Sequence, residues 1–398
     1  MKKLGLVLGG GGARGIYEIG AWIAFQSCGL HFQVVSGTSI GALVGAMYTQ
    51  KTLSPVLDFV YHLSPDQIVT DMMEPQEALE NKEALFEFFK SYLKEGMDVS
   101  PLRNEIEKML DYDGFMASDI EFACMTYNLS QHEGQAFYKQ DFTRENAVDI
   151  LMASASCYPA FPMTTIGEER FIDGGYEDNL PISLALDMGA EELYVVDVHG
   201  IGFVKHVKSD CIIHRLEPLL PLGHILDFSQ SQGMRSLELG FLETMKYLNE
   251  YCGYVYTFYA EDWPKMYMIE QYLQLNFEQR SIEWNEFLVD DVMGYHVPAL
   301  HNKFFDLYRF GRWIECLAWV CDLNPVQIDS YDRFLMRLRK ALKKKYEKKE
   351  GLLYAYYVRL EQNAGTYPLL LDAIRPITYS EYYLAYVWYF LDLYLKKA

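Results

Sequence analysis

The chain has 398 residues, half of them hydrophobic, and carries 55 acidic against 35 basic side chains, a formal charge of −20. This composition excludes an intrinsically disordered chain and a general nucleic-acid-binding protein, which needs a basic surface. The length suffices for one elaborated domain or two. The seven cysteines are dispersed and form no C-x-x-C pair, so we expect free thiols and a cytoplasmic location.

The first 200 residues alternate between strand and helix patterns. Residues 4–8 form an apolar run that ends in glycines, as a buried parallel strand does. The alternation predicts an α/β domain with a mainly parallel sheet, and no apolar stretch is long enough for a transmembrane helix. The further predicted elements are helix 16–27, strand 32–36, helix 40–49, a helical region over 53–112, strands 119–128 and 134–138, helix 147–155 and strand 193–198.

A glycine-rich loop follows the first predicted strand. Gly10-x-Gly12-x-x-Gly15 fits the dinucleotide fingerprint, but that fold also needs an acidic residue at the end of the second strand. The second strand instead runs into Gly37-Thr38-Ser39-Ile40-Gly41. Backbone N–H groups at a helix N-terminus bind any anion, and in acyl transfer that anion is the tetrahedral oxyanion.

The segment Gly37-x-Ser39-x-Gly41 lies between a predicted strand and a predicted helix, as a nucleophile elbow requires. The glycines permit a tight turn and a close approach of neighbouring backbone. The alternative is that Ser39 only caps the following helix; the two roles are compatible.

A serine nucleophile needs a base, and the sequence offers two. His199, just beyond strand 193–198, is the best-placed of nine histidines, although none lies in a recognisable motif. The other candidate is Asp173, in the glycine-rich turn Asp173-Gly174-Gly175. Since an ordinary aspartate has a pKa of about 3.9, we expect dry, apolar surroundings that raise the basicity of Asp173.

The three motifs, in this order, resemble those of bacterial patatin-like phospholipases. Two further segments are similar to the family: residues 153–162, before the aspartate, and residues 179–181, after it. The resemblance covers about residues 4–200 and implies a three-layer α/β/α domain. It also implies a Ser39–Asp173 dyad and an oxyanion hole formed by the amides of Gly10, Gly11 and Gly12. The supporting residues that it implies are Arg14, Gly15, Gly37, Gly41, Gly174 and Gly175.

The resemblance implies a serine hydrolase that cleaves carboxylic esters of lipids, as phospholipases A and lysophospholipases do. The sequence shows no metal cluster with ligand spacing, so we predict no metal or other cofactor. A lipid acyltransferase that uses the same acyl-enzyme, or a catalytically silent lipid-binding protein, remain alternatives. At position 40 isoleucine replaces the commoner alanine, so we expect a narrower acyl channel.

We predict a catalytic domain over residues 1–205 and a mostly helical region over 206–398. Residues 223–228 and 239–244 resemble segments that follow the catalytic domain in bacterial relatives, which leaves the assignment of 206–250 open.

Two segments of the second half bear on partners. Residues 333–349 form a basic amphipathic helix whose apolar face contains Phe334, Leu335, Leu338, Ala341 and Leu342. Such a helix predicts peripheral contact with an anionic membrane, or a surface helix that is packed on the core by its apolar stripe. The aromatic run over 382–391 is too short to span a bilayer and favours a core helix.

Overall fold

The computed structural model describes residues 2–70, 96–280, 282, 288–365 and 379–397. They form two compact units, Met1–Phe241 and Leu242–Ala398. The strands of the first unit are β1 Leu4–Leu8, β2 Val34–Thr38, β3 Glu121–Asn128, β4 Glu133–Tyr138, β5 Thr164–Ile166, β6 Glu169–Asp173, β7 Glu192–Val196 and β8 Ile212–Leu216. Its described α-helices are α1 Ile16–Ser27, α2 Ile40–Thr49, α3 Leu53–Tyr61, α4 Ser100–Met109, α5 Tyr112–Ala117, α6 Ala147–Ser154, α7 Ile182–Asp187 and α8 Gln230–Tyr247, which ends beyond the unit.

The eight strands form one sheet in the order β5-β6-β3-β2-β1-β7-β8, with β4 paired to β3. The pairs β3-β2, β2-β1, β1-β7 and β7-β8 are parallel. At the other end, β6 runs antiparallel to β3 and places Asp173 opposite Thr126. The predicted α/β class with a mainly parallel sheet is confirmed.

Helices cover both faces of the sheet. Val7, Val34 and Val195 share a buried core cluster with residues of α7. Their neighbours in sequence point the other way, since successive side chains of a strand alternate between faces. There Gly45 of α2 packs on Val35, while Phe25 of α1 contacts Tyr194 edge-to-face. The unit therefore has the expected three layers.

The structure corrects some element boundaries. Within the predicted helical region 53–112, residues 62–70 and 96–99 form no α-helix, and Pro65–Gln67 is a short 3-10 helix. Residues 71–95 lie outside the described residues. The prediction of a mostly helical chain after 205 overlooked β8, whose residues are largely exposed. The sheet thus continues to Leu216; the division at 205 stays a prediction about domains.

The second unit is mostly helical, as predicted. A three-stranded sheet, β9 Tyr251–Cys252, β10 Thr257–Tyr259 and β11 Ile328–Asp329, accompanies its helices. The helices are α9 Trp263–Glu278, α10 Leu288–Met293, α11 Arg309–Trp319, α12 Tyr331–Lys348, α13 Gly351–Gln362 and α14 Tyr379–Lys397. The aromatic run predicted over 382–391 lies in α14 and is largely buried. Among the described helices, none is both long and apolar enough to cross a membrane.

Candidate active site

Ser39 lies on the turn between β2 and α2, as the sequence predicts. Its φ of 57° is in a region that residues other than glycine rarely adopt. A Cβ on Gly37 would overlap the backbone of Gly41, and a Cβ on Gly41 would overlap the backbone of Leu8. Only glycine fits at these two positions. The Ser39 side chain makes no capping hydrogen bond to α2, so it is free for another partner.

That partner is Asp173, at the end of β6. The Asp173 carboxyl group lies close enough to the Ser39 side chain for an interaction that lowers its pKa, and the Gly175 N–H donates to Asp173 Oδ1 at 2.8 Å. Asp173 is only 6% exposed. Burial raises its pKa from 3.8 to about 6, against the lowering effect of the two interactions. The carboxylate is therefore a stronger base than an ordinary aspartate, as the sequence analysis requires.

A buried serine of α6 holds the nucleophile turn in place. The Ser39 N–H donates to Ser154 Oγ at 3.0 Å, and Ser154 Oγ donates to the carbonyl oxygen of Met125 at 2.7 Å. Ser154 thus connects the turn to β3. Sequence reasoning assigned it no role, although it lies in the segment 153–162 that resembles the family.

Asn179 connects the glycine loop to the aspartate motif. The Gly10 N–H donates to the Asn179 carbonyl oxygen, and Asn179 Nδ2 donates to the Gly10 carbonyl oxygen; both distances are 3.1 Å. A Cβ on Gly10 would lie 3.2 Å from Ser39 Cβ, so the loop runs directly past the serine. Sequence reasoning noted Asn179 only as part of a similar segment.

The three predicted oxyanion donors differ in their bonding. The Gly10 N–H is engaged with Asn179. Within the described part of the chain, the Gly11 and Gly12 N–H groups donate to no protein acceptor. Gly12 has a φ of 57° and closely approaches the carbonyl oxygen of Ile225. The two free amides lie at the start of the 3-10 turn Gly12–Gly15, which leads into α1.

Arg14 supports the loop and does not face the dyad. Its Nε donates to the carbonyl oxygen of Gly223 at 2.9 Å and its Nη1 to that of His199 at 2.7 Å. Gly15, next in sequence, packs directly on Ile40, because a Cβ there would overlap the isoleucine side chain. Both residues thus position the glycine loop.

His199, the alternative base, is paired elsewhere. Its Nε2 lies 3.2 Å from Glu217 Oε1, and this hydrogen bond raises the pKa of the imidazole. The side chains of Asp197, His199 and Glu217 lie close together. The Asp197 carboxylate accepts the backbone N–H of His199 at 2.9 Å and lies 3.6 Å from Arg215 Nη1. The His199 side chain is therefore paired with Glu217, just after β8, and not with Ser39.

An apolar cavity of about 470 Å³ is lined in part by Ser39 and Asp173. Its volume lies within the range of small-molecule sites. Gly11 and Gly12 line it beside Ser39 and Asp173. Its apolar walls include Ile16, Ile19, Ile40, Leu43, Met47, Phe59, Leu102, Ile106, Phe161, Phe203 and Phe228. Ile40 is one of these lining residues, and the narrower acyl channel expected from its size stays a prediction.

Residues 6–186 match the family model described as patatin-like phospholipase. The resemblance of this part of the chain to that family, drawn from the motifs, is confirmed.

The particular relatives are fungal proteins named lysophospholipase NTE1. The chain is 28% identical over 206 residues to the one from Aspergillus oryzae, 29% over 210 residues to that from Coccidioides immitis and 30% over 211 residues to that from Meyerozyma guilliermondii. Each match covers 50% of this chain but only 12–13% of the relative. Among solved structures, VipD from Legionella pneumophila aligns over 98% of this chain and 90% of its own, at 13% identity and a TM-score of 0.39. That score is too low to support a conclusion.

Proposed function

We propose that the chain is a serine acyl hydrolase that cleaves carboxylic esters of lipids. The observation that carries the proposal is that the Ser39 side chain lies next to the buried Asp173 carboxylate at the wall of an apolar cavity. A serine, a base within hydrogen-bond reach and free backbone donors are the groups that acyl transfer requires. The name of the NTE1 relatives favours phospholipids with a single acyl chain as substrates.

In the proposed reaction, Asp173 accepts the Ser39 proton while Oγ attacks the ester carbonyl carbon. The carbonyl oxygen becomes an oxyanion, and the Gly11 and Gly12 amides donate to it. We leave Gly10 out as a donor because its N–H is already bonded to Asn179. The protonated Asp173 then donates its proton to the departing alkoxide. Water, deprotonated by Asp173, attacks the acyl-enzyme; Ser39 Oγ then leaves and takes this proton from Asp173, which releases the fatty acid and restores both side chains.

The proposed base predicts an acidic limb in the pH profile. Only the ionised Asp173 accepts a proton, and its pKa is about 6 in the folded protein. Therefore kcat/KM should fall about tenfold per pH unit as the pH drops below about 6 and stay level above it. The measurement is kcat/KM for a soluble short-chain ester against pH.

A neighbouring carboxyl group provides the control. Burial also raises the pKa of Asp178 to about 6, but its Oδ1 accepts the backbone N–H groups of Leu180 and Lys205 and does not contact Ser39. Asp178→Asn should keep the acidic limb. If the acidic limb of the pH profile disappears in this variant, the base is not Asp173. A wild-type profile without an acidic limb would also contradict the assignment.

The loop after β7 exposes apolar side chains at the mouth of the cavity. Ile201 is 81% exposed, Phe203 69% and Val204 51%. Two backbone hydrogen bonds hold the loop beside the aspartate motif, from Phe203 N–H to the Gly175 carbonyl oxygen (2.8 Å) and from Asn179 N–H to the Phe203 carbonyl oxygen (2.5 Å). Exposed apolar patches mark interaction sites. We propose that this loop contacts the surface of a lipid aggregate while one lipid enters the cavity.

Val204→Asp tests this contact without altering the cavity wall. Activity on lysophospholipid micelles should fall about tenfold, because the apolar contact is lost and a carboxylate must be desolvated. Hydrolysis of a monomeric, water-soluble ester should be unchanged. The assay is fatty-acid release measured by mass spectrometry, with Ser39→Ala as the blank.

The matched control is Ile212→Asp on β8, where the side chain is also 51% exposed. This variant should retain activity on both substrates. Equal losses in the two variants would argue against a role of the loop, and no fatty-acid release from any lipid by the wild type would contradict the proposed function.

Membrane contact through the basic helix 333–349 remains a proposal, limited to its charged face. Four of the five predicted apolar residues, Phe334, Leu335, Leu338 and Leu342, are buried within the second unit. The helix is packed on the core by its apolar stripe, which was the alternative. Any contact with anionic lipid would therefore use the lysine and arginine side chains alone.

A further inference from the structure

The charged face of α12 forms one wall of a cleft in the second unit. The cleft has a volume of about 440 Å³, and its opposite wall is the turn after α11. Its lining residues are Cys321, Asp322, Leu323, Arg337, Lys340, Ala341, Lys344, Lys345 and Lys348. Arg337 is the first α12 residue in this lining, and the other five follow it at three, four, seven, eight and eleven positions. This spacing places them on one side of a helix.

The positive charge of this face is unusual for the chain. Residues 331–348 carry eight basic side chains against two carboxylates, a formal charge of +6 in a protein of formal charge −20. Favourable interaction with the negative end of the helix dipole accounts for cations in the last turn, such as Lys345 and Lys348. It does not account for Arg337 and Lys340, which lie two turns earlier.

Most of these cations have no internal counter-ion. Arg337 Nη1 binds Asp329 Oδ2 at 2.8 Å, which fixes the guanidinium at one end of the cleft. Across the part of the chain that the structure describes, no carboxylate oxygen lies within 4.0 Å of Nζ of the four cleft lysines. By contrast, Lys343, on another side of α12, pairs with Glu347. Like charges gathered in one cleft repel each other, and an anion bound between them would offset this repulsion.

We infer that this cleft is a binding site for a multiply phosphorylated anion. A concave site with several lysines and one fixed arginine suits a ligand that carries several phosphate charges within a small volume. Asp322 is the one acidic lining residue, so the net charge of the site is strongly positive. Such an anion is either a free polyphosphate or the phosphorylated headgroup of a lipid, and both present the same groups to the cleft. The inference concerns the second unit alone and does not depend on the proposed hydrolysis.

The test compares two charge-reversed variants of the same helix. In the cleft variant Lys340 and Lys344 are changed to Glu; in the matched control Arg339 and Lys343, which are exposed but outside the cleft, are changed to Glu. The soluble probe is inorganic tripolyphosphate, measured by isothermal titration calorimetry with orthophosphate for comparison. The membrane probe is sedimentation with phosphatidylcholine vesicles, with and without phosphatidylinositol bisphosphate.

The wild type should bind tripolyphosphate more tightly than orthophosphate. The cleft variant should bind it at least about tenfold more weakly, since charge-assisted hydrogen bonds are lost, and the control variant should resemble the wild type. Binding of tripolyphosphate alone identifies a soluble ligand, whereas cosedimentation that needs the phosphorylated lipid identifies a headgroup.

Equal losses in both variants would mean diffuse electrostatic attraction and would overturn the site, as would the absence of binding to either probe. Thermal unfolding checks that the variants fold, and Lys340→Gln with Lys344→Gln repeats the test without introduced negative charge.

Discussion

Asp173→Asn is expected to lower kcat for ester hydrolysis by about 10³-fold or more, a loss typical for removal of one member of a catalytic unit. Asparagine preserves the shape of the side chain but cannot accept the Ser39 proton. Ser39→Ala should have at least as large an effect because the nucleophile itself is absent. The measurement is hydrolysis of a short-chain reporter ester, together with labelling of Ser39 by a fluorophosphonate probe, which Ser39→Ala should abolish.

Two controls separate the dyad from its alternatives. Asp187→Asn changes an exposed aspartate in the following helix and should retain full activity. His199→Ala should also remain active, since His199 is paired with Glu217. Full activity of Asp173→Asn would refute the dyad, and inactivity of His199→Ala alone would replace it with a triad.

Gly12→Ala is expected to lower kcat by about 10²- to 10³-fold, the usual effect of losing an oxyanion donor. At a φ of 57° alanine is strained, and its Cβ would overlap the carbonyl oxygen of Ile225. The loop must therefore shift, and its free amides would move away from the proposed oxyanion position. Steady-state kinetics should show the loss mainly in kcat, because the donors act on the transition state.

Gly29→Ala distinguishes loop displacement from backbone strain. Gly29 also has a positive φ, 71°, but nothing lies near the position of an added Cβ. This variant should lose about 1 kcal/mol of stability, the cost of a left-handed backbone for a residue other than glycine, and retain its activity. If Gly12→Ala were as active as Gly29→Ala, the loop would not form the oxyanion hole.

Much of the first unit could be predicted from the sequence because its signals are local. The bounds of β1, α1 and α2 agree with the predictions, since each is a continuous apolar or helical pattern bordered by glycine or a turn. The second strand was predicted at 32–36 but lies at Val34–Thr38, where pairing with β1 and β3 sets its bounds. β8 was missed because its side chains are largely exposed, and its pairing with β7 determines that it is a strand.

The sequence by itself determined the family motifs, their order and their positions at the ends of strands. Only the tertiary structure decided that the Gly10 amide is engaged by Asn179, that Ser154 holds the Ser39 turn, and that Arg14 supports the loop. The two residues in each of these contacts are separated by between 115 and 209 positions in the sequence. The same holds for α12, whose amphipathic pattern does not specify what covers its apolar face. A local pattern specifies which groups are available, whereas the packing of distant segments decides which of them already have partners.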